Sequence, residues 1–494
     1  MDNKLKIKFG TDGFRAIIAK NFTFREIEIV AFAVSEYIYK MNMPAVINVC
    51  YDRRFMSDKF AKFMSDTFNA LGVSTNYSQS AVPTPALSCA MRSGKAELGI
   101  MITASHNSYE YNGIKIKTHD GASAPQNIIN EIQKTVDHYC ECGIDYKKFR
   151  EVHKIKNDGT NSQFDPIPKY LDNLKNAIDI DKIKKLKIRA LVNPMFGVQA
   201  GLFEKFAKDN GLNISFEEMQ SEHNPQFPGI NPEPIAPNLK NMALKMKNAK
   251  ADGTPYDIGL CYDGDGDRFA AMTSDGTFVS PQLIFSILLY HVAKNKQNKG
   301  NLANTPEIAK TFSVTSLVTK IAEKYNLKIN QTPIGFKYIA DLMLDKSKNV
   351  IIGGEESGGI GISYYMPERD GLFLSLILLE ALCYEEKSIE QIIESLFNQF
   401  GRHDYDRDDY HLPEDKFNEV KNILSDNPPQ KICGINVSEI QKLDGFKFML
   451  SDGSWILFRF SGTEPVLRIY AESSQIQTVN NMLDFARDFL KLKC

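Results

Sequence analysis

The chain lacks an excess of charge of either sign, and it lacks a long hydrophobic run. Its 59 Lys and Arg residues balance 61 Asp and Glu residues, for a formal net charge of -2. Without a basic stripe or a polybasic helix, we expect no nucleic acid partner and no membrane partner. The start, MDNKLKIKFG, has no apolar stretch typical of signal peptides, and the apolar run that ends at residues 285–292 is too short to span a bilayer.

Cysteines are few and scattered. Of the eight, only Cys140 and Cys142 lie close together, and their C-x-C spacing is not that of a zinc knuckle. Disulfide frameworks belong to oxidising compartments. We therefore expect reduced thiols and a cytoplasmic location.

The length and the pattern of elements predict several α/β units. A chain of 494 residues favours three or four domains. Apolar strands alternate with charged turns and helices, and the first helix is predicted from a capping box of Thr23 and Glu26. Polar stretches at 156–163 and 401–415 indicate boundaries, and an apolar helix from about residue 281 opens a further unit. We expect units at 1–160, 161–280, 281–400 and 401–494, the last a small α+β domain.

One irregular segment is set apart by its prolines. Residues 223–239 carry five of them, so the segment is rigid and cannot continue a helix or strand. We interpret it as a surface connection rather than as part of a site.

The loop TASHN, residues 103–107, follows a buried strand at residues 98–102. Polar residues after such a strand lie at the sheet edge, where open α/β sheets bind ligands. Ser105, His106 and Lys115 therefore bring a hydroxyl, an imidazole and an ammonium into one region. Phosphoryl transfer uses such a set, although a short motif alone also fits an ordinary polar loop.

The run DGDGDR, residues 263–268, is the strongest single motif. Asp263, Asp265 and Asp267 alternate, so their carboxylates face one point and repel each other unless a cation lies among them. Oxygen ligands of this kind suit Mg²⁺, and Arg268 adds a fork for a phosphoryl oxygen. An EF-hand is excluded because Arg268 and Ser274 occupy the positions of its Gly and Glu. The alternative is a solvated acidic turn.

Two later loops carry groups for a sugar phosphate. In GEESG, residues 354–358, Glu355 and Ser357 offer oxygens that bind sugar hydroxyls, although a plain surface turn has the same composition. RFSGT, residues 459–463, offers a guanidinium, two hydroxyls and backbone amides to a phosphate, with Arg468 as a second fork. The alternative for that segment is a β-hairpin connection.

Taken in order, the four loops resemble those of the α-D-phosphohexomutase family, which includes phosphoglucomutases, phosphomannomutases and phosphoglucosamine mutases. The resemblance covers the whole chain and implies an α/β fold of four domains. Three related α/β units and a smaller C-terminal α+β domain would surround a central cleft. It also implies Mg²⁺ as cofactor, with glucose 1,6-bisphosphate as activator and intermediate.

The resemblance further implies a role for each motif residue. Ser105 would be the phosphorylated serine and, with Asp263, Asp265 and Asp267, a metal ligand. The groups at the reaction centre would be Ser105, His106, Lys115, Arg15 and Arg268. The contacts to substrate would be Lys337, Glu355, Ser357, Arg459, Ser461, Gly462, Thr463 and Arg468.

Three residues depart from the family pattern. Ser108 replaces the usual proline after TASHN, and we expect the loop to tolerate it. Gly359 replaces the histidine that one phosphomannomutase/phosphoglucomutase branch has after its sugar loop, so that branch's acid/base cannot be carried over. Glu356 favours glucose phosphates over glucosamine phosphates, for which glutamine is more common.

The reaction implied is reversible transfer of phosphate between C1 and C6 of a hexose phosphate, glucose 1-phosphate to glucose 6-phosphate. Mannose phosphates are an alternative substrate. A Mg²⁺-dependent sugar phosphatase and a sugar-phosphate-binding protein without turnover are alternative functions. A small-molecule hexose phosphate is the expected partner, and the protein would be a monomer or homodimer.

Overall fold

A computed structural model describes residues 7–10, 12–94, 96–295, 305–461 and 465–492. Within them the chain forms four sheets in sequence order, three mixed and one antiparallel. The architecture is α/β with four domains, as the sequence predicts.

The first unit is a six-stranded sheet in the order β1-β5-β4-β2-β3-β6. Strands β2, β3, β4 and β6 run parallel, while β5 is antiparallel to both β4 and β1. Its elements are β1 Phe14–Ile17, α1 Phe24–Lys40, β2 Val46–Tyr51, α2 Ser57–Ala70, β3 Ser74–Ser78, α3 Thr84–Ser93, β4 Leu98–Ile102, β5 Tyr111–Thr118, α4 Gln126–Cys142, α5 Tyr146–Val152 and β6 Asn161–Phe164. The division predicted after residue 160 assigns β6 to the second unit, but its hydrogen bonds to β3 extend the first sheet to residue 164.

The second unit has five strands in the order β11-β10-β9-β7-β8. Its elements are α6 Ile167–Ala177, α7 Ile180–Ile183, β7 Ile188–Asn193, α8 Leu202–Asp209, β8 Ile214–Glu218, a 3₁₀ turn Ala236–Leu239, α9 Lys240–Ala251, β9 Ile258–Tyr262, β10 Phe269–Met272 and β11 Phe278–Val279.

The third unit has four strands in the order β13-β12-β14-β15. Its elements are α10 Pro281–Asn295, β12 Glu307–Thr311, α11 Ser316–Lys324, β13 Lys328–Thr332, α12 Phe336–Leu344, β14 Val350–Gly354, β15 Ile360–Ile362, α13 Gly371–Glu385 and α14 Ile389–Phe400.

The last unit is an antiparallel six-stranded sheet in the order β16-β21-β20-β19-β18-β17. Its elements are β16 Asp404–His411, α15 Glu414–Asp426, β17 Lys431–Ile432, β18 Ile435–Gln441, β19 Phe446–Leu450, β20 Trp455–Phe460, β21 Val466–Ser473 and α16 Ile476–Phe489. The sequence predicts a small α+β domain here, but it also predicts that residues 401–415 form a charged boundary. Residues 404–411 instead form strand β16, which is mostly charged and whose two tyrosines are only half-buried.

One construction recurs in the first three units. A fully buried strand, β4, β9 or β14, runs into a motif loop and then into an antiparallel neighbour, β5, β10 or β15. One large apolar cluster contains side chains of all three units, among them residues of α3, β9 and α13. The three motif loops are therefore held on one continuous scaffold.

The capping box predicted at Thr23 is present. The Thr23 side chain accepts from the first turn of α1, and Glu26 accepts from the Thr23 backbone N–H at 2.9 Å. Replacing Thr23 with Ala removes this cap, which costs about 1 kcal/mol in helix stability. We expect the first-turn amides of α1 to exchange their hydrogens faster in Thr23→Ala, measured by native-state hydrogen exchange. Thr23→Ser keeps the hydroxyl and is the matched control; equal exchange in the two variants would contradict the prediction.

Candidate active site

The TASHN loop and the DGDGDR loop meet at Ser105. The serine is 1 % exposed and takes a left-handed backbone conformation with φ of 54°. Its Oγ donates to Asp263 Oδ2 at 3.1 Å and lies 3.4 Å from His106 Nδ1. A Cβ on Gly264 would lie 2.5 Å from the Ser105 carbonyl oxygen, so only glycine permits this approach. The structure thus brings the predicted serine and the predicted metal ligands together.

Asp263, Asp265 and Asp267 are completely buried, and each offers an oxygen within 4.8 Å of the others. The Oδ1 atoms of Asp265 and Asp267 have no hydrogen-bond partner among the described residues. Burial raises the pKa of Asp263 well above its ordinary value, and the charges of Asp265 and Asp267 raise it further. Buried carboxylate oxygens without partners, in a set of three, fit a hard divalent cation such as Mg²⁺.

Lys115 compensates two of these carboxylates. Its Nζ lies 2.8 Å from Asp265 Oδ2, 2.9 Å from Asp267 Oδ2 and 3.1 Å from Asp12 Oδ2. Burial opposes the charge, but Asp12, Asp265 and Asp267 prevail and raise the pKa of Lys115. Lys115 is therefore an ammonium at neutral pH.

Arg369 joins the loops of three units. Its Nη2 lies 2.9 Å from both Asp12 Oδ2 and Asp267 Oδ2, and its Nη1 lies 3.7 Å from Glu355 Oε2. No sequence motif predicts a role for this residue. The signal available was the charged turn ERDG before the apolar helix α13, where a buried arginine needs carboxylate partners.

The remaining predicted cations line the same region. Arg15 Nη1 donates to Asn107 Oδ1 at 2.8 Å, next to the reactive loop. Arg268 Nη1 lies 3.3 Å from Glu233 Oε1, and its backbone N–H donates to Asp263 Oδ1 at 3.0 Å. Burial lowers the pKa of His106 well below its usual value, and the surrounding cations, Arg268 foremost, lower it further. The imidazole is therefore neutral at pH 7.

The sugar loop follows β14 and lies beside Arg369. Glu355 is buried, and its carboxylate faces Arg369, while Ser357 is partly exposed. Glu356 points elsewhere: it accepts from Ser313 Oγ at 2.7 Å and from Tyr470 OH at 3.4 Å, which connects the third and fourth units. A Cβ on Gly359 would lie 2.6 Å from Arg369 Cδ, so Arg369 occupies the space that a side chain at this departure position would need.

In the last unit, the two arginines predicted to bind phosphate form ion pairs with carboxylates. Arg459 Nε lies 3.2 Å from Asp444 Oδ2, and the same oxygen accepts from the Ile334 backbone N–H at 2.8 Å. Arg468 Nε lies 3.6 Å from Asp409 Oδ2. The Ser461 backbone N–H donates to the Val466 carbonyl at 2.9 Å. Gly462 and Thr463, also predicted to bind phosphate, lie outside the described residues.

Lys337, the predicted substrate lysine of the third unit, contacts the first unit. At the start of α12, its Nζ donates to Gln126 Oε1 of the first unit at 2.5 Å. Burial lowers the pKa of this lysine. The contact places the predicted substrate lysine between the first and third units.

No sequence motif predicts several of the polar residues that the structure places at the site. Asp12, in FGTDGFR, contacts Lys115 and Arg369. Thr84, in the VPTP turn, donates from Oγ1 to Asp265 Oδ2 at 2.5 Å. Glu233 contacts Arg268, so the proline-rich segment is not merely a surface connection: its Pro232 carbonyl also accepts from the Gly264 N–H at 3.0 Å. Composition alone does not show that a rigid segment folds back onto a distant loop.

Comparison with known proteins assigns all four units to one family. Sequence models of the phosphoglucomutase/phosphomannomutase family match in order: α/β/α domain I at residues 6–141, domain II at 168–276, domain III at 282–400 and the C-terminal domain at 414–488. The chain therefore belongs to the phosphoglucomutase/phosphomannomutase family, and its class of enzyme is the phosphohexomutases, which are isomerases.

Individual relatives match over nearly the whole chain. A phosphoglucosamine/phosphogalactosamine mutase of Sulfurisphaera tokodaii is 28% identical, over 96% of this chain and 97% of the relative. A phosphoglucomutase/phosphomannomutase of Thermococcus kodakarensis is 28% identical, over 83% and 82%. The crystal structure of a candidate phosphomannomutase from Thermus thermophilus is 29% identical, with a TM-score of 0.83 over 98% and 99%. These relatives differ in the sugar they are named for.

The described helices include none with the length and apolar character needed to cross a membrane.

A divalent cation should stabilise the protein through the aspartate set. With free Mg²⁺ at 100 times its dissociation constant, binding to the folded state contributes about 2.7 kcal/mol. We expect Mg²⁺ to raise the melting temperature of the unmodified protein and to have little effect on Asp263→Asn. Asp275→Asn, in the exposed turn after β10, is the matched control and should respond like the unmodified protein. An unchanged Mg²⁺ response in Asp263→Asn would argue against this site.

Glu355 should make stability depend on pH. Burial raises its pKa to about 7; Arg369 opposes this and Glu356 adds to it. Because the folded-state pKa lies above the ordinary 4.5, the folded state loses stability as pH rises from 4.5 to about 7. The melting temperature relative to Glu355→Gln, which cannot ionise, should therefore fall between pH 5 and pH 8. Exposed Glu110, changed to Gln, controls for the loss of one charge; a flat difference for Glu355→Gln would refute the prediction.

Proposed function

We propose that the protein catalyses reversible phosphoryl transfer between C1 and C6 of a hexose phosphate, converting glucose 1-phosphate to glucose 6-phosphate through phosphoserine 105. The observation that carries the proposal is the contact of Ser105 Oγ with Asp263, within a buried set of three carboxylates. Phosphoryl transfer relies on metal ions that neutralise charge on the transferring group, and a serine oxygen beside such an ion is placed to carry that group.

In the proposed first half-reaction, the bond between Ser105 Oγ and phosphorus breaks. A bond forms between that phosphorus and the free hydroxyl oxygen at C6 of glucose 1-phosphate, which releases its proton. The hexose 1,6-bisphosphate then turns over in the cleft and returns its other phosphate to Ser105. The neutral imidazole of His106 would take up the proton of the C6 hydroxyl, and the Lys115 ammonium would give a proton to the leaving Ser105 Oγ, so the protons balance.

Charge on the transferring group needs fixed cations around it. Mg²⁺ held by Asp263, Asp265, Asp267 and a phosphoserine oxygen would supply Lewis-acid stabilisation of that charge. Arg15 and Arg268, which flank the serine loop and the metal loop, would hold the phosphoryl oxygens as planar forks.

The rest of the substrate would be bound by the later loops. Glu355 and Ser357 would accept or donate hydrogen bonds to sugar hydroxyls, with Arg369 fixing the orientation of Glu355. The phosphate that is not transferred would lie against Arg459, Ser461, Gly462, Thr463 and Arg468, with Lys337 contributing from the third unit. A single phosphate-binding site of this kind can hold either phosphate of the 1,6-bisphosphate, before and after the intermediate turns over.

Replacing Ser105 with Ala should abolish mutase activity, because the oxygen that carries the phosphoryl group is lost. The measurement is a coupled assay for glucose 6-phosphate, together with the intact mass of the protein before and after incubation with glucose 1,6-bisphosphate. Ser108→Ala, three residues along the same loop, is the control and should retain turnover. Near-normal turnover in Ser105→Ala, or a phosphoryl group elsewhere than on Ser105, would refute the assignment.

The same assays separate the alternatives. Release of inorganic phosphate instead of an isomerised product would identify a sugar phosphatase, and absence of both would identify a binding protein. Parallel assays on mannose and glucosamine phosphates would establish the sugar selectivity, since relatives named for each sugar share this fold.

A further inference from the structure

The reactive serine is held in an unfavourable backbone conformation. Ser105 has a φ of 54°, a left-handed value that costs a residue with a side chain about 1–2 kcal/mol. The conformation aims Oγ at Asp263. Neighbouring groups must therefore fix the peptide on each side of the serine.

One guanidinium holds the carbonyl side. Arg54, just beyond β2, donates from Nη2 to the Ser105 carbonyl at 2.6 Å and to the Asn107 carbonyl at 2.7 Å. Its Nη1 donates to the carbonyls of Ser108 at 2.8 Å and Tyr111 at 3.1 Å. A single planar fork thus binds four main-chain oxygens of the loop that carries the serine.

The Ser105 backbone amide is fixed through Thr103, which in turn contacts the Asp52 carboxylate that pairs with Arg54. The Ser105 N–H donates to Thr103 Oγ1 at 2.8 Å, and that hydroxyl donates to Asp52 Oδ2 at 2.6 Å. The same Asp52 oxygen lies 3.3 Å from Arg54 Nε. Asp52 therefore orients both Thr103 and Arg54, the two side chains that hydrogen-bond to the backbone on either side of Ser105.

Arg54 is shielded from the cleft. It is 3 % exposed, and the ring of Phe227, from the proline-rich segment of the second unit, lies 5.1 Å from its guanidinium carbon. Its nitrogens turn to the loop and to Asp52, and an aromatic ring lies over it, so the described residues leave no face of Arg54 open to a substrate. Its effect on chemistry must pass through the loop.

We infer that Arg54 is a positioning residue for the phosphorylated serine, which sets the direction of Ser105 Oγ toward the metal site and the incoming hydroxyl. The inference rests on the proposed function. A lysine cannot replace it, because one ammonium cannot span four carbonyls that the fork reaches from two nitrogens.

The test is Arg54→Lys. We expect kcat to fall about 100-fold, the loss that follows a displacement of about 1 Å in reacting groups, with KM little changed because Arg54 does not touch substrate. The rate at which glucose 1,6-bisphosphate phosphorylates Ser105, followed by intact mass, should fall by the same factor. A merely structural role would lower the melting temperature without this separation of kcat from KM.

Arg53→Lys is the matched control. Arg53 donates to the Ser221 carbonyl at 2.9 Å and holds no carbonyl of the serine loop among the described residues, so turnover should stay near normal. Thr103→Val is a second variant that keeps shape and removes the amide-side contact; we expect kcat to fall about tenfold, the worth of one buried hydrogen bond.

The outcomes are distinguishable. Normal phosphorylation rates in Arg54→Lys and Thr103→Val, with an active unmodified protein, would overturn this inference alone. The same conclusion would follow if Arg53→Lys lost as much kcat as Arg54→Lys. Failure of the unmodified protein to phosphorylate Ser105 would instead count against the proposed function and, with it, this inference.

Discussion

The arrangement of the site depends on the compensation of buried carboxylates. Asp263, Asp265 and Asp267 are completely buried in one loop, and such a set is unstable unless positive charge is brought to it. Lys115 comes from β5 of the first unit and Arg369 from the third, and both contact Asp267. The electrostatic requirement of one loop therefore fixes how three units dock, which is why residues far apart in sequence converge on Ser105.

The sequence predicts which motif loops come together better than it predicts the residues that surround them. The four motif loops are recognisable because each packs several reactive groups into a few residues, and the alternation of aspartates in DGDGDR indicates convergence by strand geometry alone. Arg54, Asp12 and Arg369 escape recognition because the short charged turns that hold them look like ordinary surface turns. Their importance lies in distant partners: 51 residues separate Arg54 from Ser105, and 357 separate Arg369 from Asp12.

In the fold, too, features set by neighbouring residues are predictable, and features set by distant partners are not. The α1 capping box is local, so Thr23 and Glu26 predict it directly. Strand β16 cannot be predicted locally in this way, because it is mostly charged and its two tyrosines are only half-buried. What makes it a strand is pairing with β21, from Asp404 opposite Ser473 to His411 opposite Val466, which lies much later in the chain. The segment has no apolar stripe to reveal it, so tertiary pairing outweighs composition.

The four units are not joined with equal strength. The first three share one apolar core, whereas the fourth meets the third through a small apolar cluster of Phe312, Trp455, Leu457 and Tyr470. Around it the contacts are polar: Glu472 accepts from the Ser316 backbone N–H at 3.0 Å, and Lys447 donates to the Phe312 carbonyl at 3.0 Å. Polar interfaces of limited area separate at lower cost than a shared core. The scaffold that holds Ser105 and the aspartates is thus the rigid part, and we expect relative motion at the unit that carries Arg459, where the proposed substrate would enter and turn.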